Sequence, residues 1–258
     1  MQFKTEQIAL DFGAPPLDLR IELTVIENLD ELFEALVNKG TDHPDVVDER
    51  IPYWADLWAS AIGLSRYLVD NQLIVKGKDV LEIGCGLGLP AIVAGKLGAV
   101  HTIATDYLPE ALDFAKLNWQ QNLPLENVEF KVLDWRNIPE NFSKSTSENI
   151  SANTSANTSE SVAKTSERVG EEAPQYKADI LLAADVAYEK RAFEPLINAF
   201  QQLVKPDGKI LIAEPNRFIS KNFFENLANQ GFNVEKTTLE VERRGHTFTV
   251  NIFELGFD

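Results

Sequence analysis

The sequence predicts a doubly wound α/β sheet, and three observations carry that expectation. Short apolar runs alternate with stretches of helical periodicity along most of the 258 residues. One run, Asp79-Val80-Leu81-Glu82-Ile83, passes into three alternating glycines, Gly84, Gly86 and Gly88, and then into a helix. Five apolar runs also close on carboxylates: Glu82, Asp106, Asp134, Asp185 and Glu214. Ligands of open α/β sheets sit beyond the carboxyl ends of the strands, so these acids fall together at one end.

Residues 1–18 are mixed and end in Pro15-Pro16, which reads as poor helix or strand. Leu19 to Ile26 alternates apolar and polar residues and reads as a half-exposed strand. Asn28 is placed to cap a helix carrying Leu29, Leu32, Phe33, Leu36 and Val37, with Gly40 as its stop. An acidic loop, Asp42 to Glu49, closes an N-terminal extension over residues 1–50 that either covers the substrate face or only packs on the domain. The main domain is expected over 51–258. It opens with Ile51-Pro52-Tyr53-Trp54-Ala55-Asp56-Leu57-Trp58, where dense aromatics either seal the core or make a flat wall for a ligand. Leu57, Ala61, Leu64 and Leu68 then mark one face of a helix.

Val80, Leu81 and Ile83 suit a central parallel strand, and Leu89, Ile92, Val93 and Leu97 the helix after it, ended by Gly98. Val100 to Thr105 is the next strand, and Pro109 suits the first turn of a helix carrying Ala111, Leu112, Ala115 and Trp119. Val128 to Leu133 is a third strand. Residues 137–175 are Ser-, Thr- and Asn-rich, bury nothing, and read as a disordered surface insertion. Asn149, Asn153 and Asn157 open sequons that read as accidental. The rhythm resumes with Ala178 to Ala184, a helix with Leu196 and Phe200, a turn at Pro206-Asp207-Gly208, and a strand from Lys209 to Ala213. A helix with Phe223 and Phe224 follows. Phe232 to Val241 and His246 to Leu255 then read as an antiparallel pair about Arg243-Arg244-Gly245.

A net charge of −16 and the lack of a basic stripe argue against nucleic acid and leave an acidic surface that favours basic partners or serves solubility. No run approaches a membrane span, and the first residues hold no secretory apolar run, so a cytoplasmic protein is expected. The single cysteine, Cys85, excludes an internal disulfide and reads as a small filler of the glycine turn. His43, His101 and His246 are scattered, and no metal site is expected.

The glycine spacing, Gly84-x-Gly86-x-Gly88, departs from the dinucleotide fingerprint, because Leu89 stands where its third glycine would fall. Glu82 would repel a pyrophosphate but suits a cationic amino group. This Glu-x-Gly-x-Gly-x-Gly stretch resembles the class I, seven-strand S-adenosylmethionine-dependent methyltransferases. That resemblance implies a Rossmann-like sheet of order 3-2-1-4-5-7-6. Asp106, about 20 residues beyond the turn, could then accept from both ribose hydroxyls. Asp134 could accept from the adenine amine beside the indole of Trp135.

Asp185-Val186-Ala187-Tyr188, with Asp134-Trp135 and Leu57-Trp58-Ala59-Ser60, is similar to the seven-strand protein-lysine methyltransferases. Tyr53 to Leu68 also resembles the subgroup that modifies the electron-transfer flavoprotein β-subunit. The resemblance implies cofactor contacts at Trp58, Gly84, Cys85, Gly86, Asp106, Trp135 and Ala184, with Asp185 and Tyr188 facing a lysine of a protein acceptor. Ala59 stands where many members have proline, and the insertion replaces a short connection. A small-molecule N- or O-methyltransferase, or a non-catalytic cofactor-binding protein, are the alternative expectations.

Overall fold

The computed structural model describes residues 3–14, 17–43, 46, 51–139, 142 and 176–257. Most of the insertion expected over 137–175 lies outside them, as does most of the acidic loop. Among the described residues, a seven-stranded sheet runs β5 (Val128–Val132), β4 (His101–Asp106), β3 (Asp79–Ile83), β6 (Ala178–Ala184), β7 (Val204–Glu214), β9 (His246–Phe257) and β8 (Phe232–Arg243). Pairing is parallel from β5 through β7 and antiparallel for β9 against both its neighbours. Counted from β3 as the first strand, this is the order 3-2-1-4-5-7-6.

Alternate residues of the central strands enter two cores, as the period of two requires. Val80, Leu182 and Leu211 pack with Leu64 and Leu68 of α2 (Ala59–Asp70), Ile92 and Val93 of α3 (Leu89–Lys96), and Ala115 and Trp119 of α4 (Pro109–Asn122). Leu81, Leu181, Ile210 and Ile212 pack on the opposite face with Leu196 and Phe200 of α5 (Phe193–Leu203) and Phe223 and Phe224 of α6 (Phe218–Asn226). Layers of helices therefore cover both faces, and the carboxyl ends of the parallel strands open between them.

Three local expectations change. Residues 5–14 form a full strand, β1 (Thr5–Ala14), antiparallel to β2 (Leu17–Ile26), where the sequence reads as irregular. Ile8, Leu10 and Phe12 alternate toward the main core, a period-two signal that the neighbouring Pro15-Pro16 pair outweighs in the sequence. Asn28 precedes α1 (Leu29–Val37) but gives it no side-chain cap: its Oδ1 accepts from Lys4 N at 2.9 Å, tying strand to helix. The turn foreseen at Pro206–Gly208 lies inside β7, as an irregularity between the pairs Ala178–Val204 and Ile180–Lys209. The last hairpin turns on Arg244 (φ 48°) and Gly245 (φ 75°), the two positive dihedrals of a tight two-residue turn.

The β1–β2 hairpin is a separate two-stranded sheet, and helix side chains complete its edge. Asn118 of α4, fully buried, accepts from Thr24 N (2.7 Å) through Oδ1 and donates from Nδ2 to Thr24 O (3.2 Å) and Leu87 O (3.0 Å). One turn later, Asn122 accepts from Glu22 N (3.0 Å) and donates to Glu22 O (2.7 Å). Two carboxamides at i and i+4 thus mimic a neighbouring strand, and Asn118 also grips the glycine turn. Among the described residues, no helix is long and apolar enough to cross a membrane.

Asn118→Ala leaves buried backbone groups of Thr24 and Leu87 without partners. Each such loss costs about 1–3 kcal/mol, so a fall in melting temperature of roughly 5–10 °C is expected by calorimetry. An unchanged melting temperature would show that the hairpin does not depend on this contact.

Candidate active site

The glycine turn is built by backbone geometry that side chains would obstruct. Gly84, Gly86 and Gly88 all hold positive φ, at 63°, 50° and 80°. A Cβ on Gly86 would lie 3.1 Å from Trp54 O, and one on Gly84 3.2 Å from the Trp135 ring. Cys85 N donates to Thr105 O at 2.8 Å, which locks the turn to β4. Burial pushes the Cys85 thiol well above its ordinary range, so it stays protonated.

Two buried carboxylates brace this turn. Asp106 accepts from Gly86 N (3.0 Å) and Leu108 N (3.1 Å). Glu82 is fully buried and accepts from Ala91 N, in the first turn of α3, at 2.9 Å. Its other oxygen, Oε1, is buried and takes no hydrogen bond from any described residue. Burial raises both carboxyls above their ordinary values, well above for Glu82, against the amides that stabilise their charge.

These groups open on a cavity of about 420 Å³ at the carboxyl ends of β3, β4 and β6, within the size range of small-molecule sites. Ten of the residues singled out in the sequence line it: Trp58, Glu82, Gly84, Cys85, Gly86, Asp106, Trp135, Ala184, Asp185 and Tyr188. Asp134 does not. It lies on an adjoining pocket of about 100 Å³, with both oxygens taken by Arg136 (2.8 and 2.9 Å). Glu214, the fifth strand-end acid, is buried and accepts from Arg217 N at 2.5 Å.

Aromatic rings from the segment before α2 form one wall. Tyr53 stands edge-on to Tyr188 (5.7 Å) and to Trp58 (6.1 Å), and Trp58 Nε1 donates to Tyr53 O at 2.7 Å. Asp56 anchors the segment by ion pairs to Arg243 and Arg244 of the last hairpin. Tyr188 keeps 36% of its surface exposed, which puts it at the cavity mouth. Burial, followed by the charge of Glu189, pushes its hydroxyl up to about 12.

Asp185 has φ 62°, a conformation non-glycine residues rarely adopt. Its side chain is 7% exposed; Oδ1 pairs with Arg217, and Oδ2 is buried with no described hydrogen-bond partner. The sequence reading did not find Arg217, nor Tyr107 and Leu108, as lining residues of this cavity. A usable signal for Arg217 existed, because a cation beside the β7 carboxylate sits where ligands meet the sheet.

An adenosyl sulfonium donor suits this donor set. An unpartnered carboxylate oxygen on Glu82 can meet an ammonium, Asp106 has lone pairs left for hydroxyls, and Gly84 and Gly86 line the cavity with backbone alone. Comparison with known proteins agrees with the geometry. A family model described as "Methyltransferase domain" matches residues 74–249. This chain belongs to that methyltransferase domain family. It is 29% identical over 167 residues to the electron transfer flavoprotein beta subunit lysine methyltransferase of Xenopus laevis, covering 64% of this chain and 53% of that one. It is 28% identical over 203 residues to the protein N-lysine methyltransferase METTL21A of Danio rerio, covering 78% of each. The chain thus spans about half the length of the first of these relatives. Among solved structures, the magnesium protoporphyrin IX methyltransferase of Synechocystis, with bound SAM, shares the fold at a TM-score of 0.53 and 14% identity, covering 89% of this chain and 92% of that one.

The raised carboxyls fix a sign for pH dependence. A carboxyl whose folded-state value lies above its unfolded value binds more protons when folded, so stability falls as pH rises from the unfolded value. For Glu82 that loss begins near the ordinary 4.5 and continues through its raised value, and Asp106 adds the same sign. Glu82→Gln keeps an acceptor for Ala91 N without a charge. Urea unfolding between pH 5 and 8 should show a shallower decline and higher stability at pH 7 than the wild type. A decline as steep as the wild type's would mean Glu82 does not titrate in that window.

Proposed function

We propose that the protein is an S-adenosylmethionine-dependent methyltransferase that acts on a lysine side chain of a protein. One observation carries the reading. Two buried carboxylates with unpartnered oxygens, on Glu82 and Asp185, line one cavity with a glycine turn and an aromatic wall. In this reading Glu82, Gly84, Cys85, Gly86, Asp106, Trp135, Ala184 and Trp58 hold the donor, and Asp134 contributes from the adjoining pocket. When bound, the donor supplies a methyl group already activated on a sulfonium.

The chain's own residues then have two tasks. The first is alignment. Asp185 accepts an N–H of the acceptor through its open oxygen, and Tyr188 shapes the mouth with Tyr53, so the amine meets the donor in line. The second is exclusion of water by Trp58, Tyr53 and Trp135. A lysine acceptor must lose a proton whose free pKa is about 10.4, and desolvation on entry favours that loss. Tyr188, held up at about 12, stays a neutral hydroxyl near neutral pH and is no base there.

The net charge of −16 fits a basic stretch of protein better than nucleic acid. The single cysteine fits the cytoplasm. The same donor site would also serve a small-molecule acceptor.

Incubation with radiolabelled S-adenosylmethionine and cell lysate should label protein, and mass spectrometry should place the methyl group on lysine. Label confined to extractable metabolites would favour the small-molecule reading instead. Asp185→Ala should lower transfer at least about 100-fold, while neutral S-adenosylhomocysteine still binds by calorimetry. Unchanged turnover would remove Asp185 from the acceptor site.

A further inference from the structure

Two left-handed residues at neighbouring strand ends turn an arginine toward the acceptor side of the cavity. β6 and β7 are adjacent and parallel, and each is followed by a non-glycine residue at positive φ: Asp185 (62°) and Asn216 (58°). Asp185 N donates to Ala213 O at 2.9 Å, which joins the two kinks. The backbone beside them is held from several directions. Glu214 Oε1 accepts from Arg217 N at 2.5 Å, and Ser220 Oγ donates to Arg217 O at 2.9 Å. Asn216 Oδ1 accepts from Asn251 Nδ2 at 3.1 Å, and Thr238 Oγ1 donates to Asn251 Oδ1 at 3.0 Å. The product of this frame is the Arg217–Asp185 ion pair.

The charges around the cavity are unequal. Among the described lining residues, Asp56, Glu82, Asp106, Asp185 and Glu189 are the acids and Arg217 is the one cation. Asp56 and Glu189 find their cations, Arg243, Arg244 and Arg191, outside that lining. Among the described lining residues only Asp185 is paired from within, by an Arg217 that also lies in the field of Glu214. A bare carboxylate a few ångströms from an amine favours its ammonium form. A carboxylate already paired with a guanidinium can still accept one N–H, but exerts little net field.

We infer that Arg217 is a positioning residue that fixes Asp185 with one oxygen open and cancels its charge, so that the cavity orients an amine acceptor without holding it protonated. This rests on the reading of the cavity as a donor and acceptor site, and it deepens that reading: the substrate class is an amine taken in neutral form. It also gives Glu214 a purpose, which is to hold the arginine's backbone rather than to meet a ligand.

Two ligands that differ by one charge test the claim without an identified acceptor. S-adenosylmethionine carries a sulfonium, and S-adenosylhomocysteine a neutral thioether. The full chain, its Arg217→Gln and Asp185→Asn variants and the double variant are titrated with each by calorimetry, with melting curves to confirm folding. Arg217→Gln should raise the preference for the sulfonium about tenfold, since it bares a negative charge in a partly desolvated cavity. Asp185→Asn should shift the preference the opposite way, and the double variant should return it to the wild-type value. Single variants that leave the ratio unchanged, or move it in the same direction, would overturn the inference. A wild-type chain that binds neither ligand would remove the donor reading itself, which is a separate and earlier failure.

Discussion

The structure depends on buried carboxylates at the sheet's carboxyl end that act first as acceptors for backbone amides. Asp106 bonds the amides of Gly86 and Leu108, and Glu82 bonds that of Ala91. These contacts hold a turn whose three glycines have positive φ and therefore supply no side chains to pack it. A carboxylate offers about four lone-pair sites, and folding occupies one on Glu82 and at least two on Asp106. Both residues line the cavity beside the turn. Burial makes those acids costly to ionise, and a cationic ligand relieves that cost. Fold and binding therefore draw on the same atoms.

The N-terminal hairpin extends this logic outward. Asn118 bonds the β2 backbone and the carbonyl of Leu87 from one side chain, so the hairpin and the turn share a support. Phe3 packs edge-on against Trp54 (5.8 Å) and Phe114 (5.3 Å). Trp54 in turn presents the carbonyl that a side chain at Gly86 would strike. A segment none of whose described residues lines the cavity thus backs its wall.

Much of the fold was legible because its signals are local. The parallel strands are buried on both faces and read as continuous apolar runs, and Ala178–Ala184 appears with the bounds its composition suggests. β1 carries a period-two signal at Ile8, Leu10 and Phe12, but the Pro15-Pro16 pair beside it reads as a break and masks a strand whose partner is the next ten residues. The Asn118 and Asn122 contacts span 94 and 100 residues and leave no pattern in either segment. At the site, acids at strand ends were readable as a set, but their division of labour was not. Sequence position gives Asp134 and Glu214 the same standing as Asp106. Only the fold shows Arg136 occupying Asp134 and an arginine amide occupying Glu214. Arg217 had a positional signal, three residues beyond the β7 carboxylate, but its turn toward Asp185 depends on a kink at Asn216 that the sequence does not announce.

What the assembled groups leave out is as informative as what they contain. Cys85 is held as a thiol by burial, and Tyr188 as a hydroxyl by burial and the charge of Glu189. Asp185 is committed to Arg217 on one side. Neither Cys85 nor Tyr188 is prepared to take a proton from an amine near neutral pH. In the proposed reading the lever is the environment: an aromatic wall to strip water from the acceptor, and the Asp185–Arg217 ion pair to orient it. If methyl transfer occurs here, the acceptor's proton must therefore leave before or during entry, to solvent at the mouth where Tyr53 and Tyr188 remain partly exposed. The cavity's catalytic contribution is then geometric, with an apolar wall and a neutral pair doing what a general base does elsewhere.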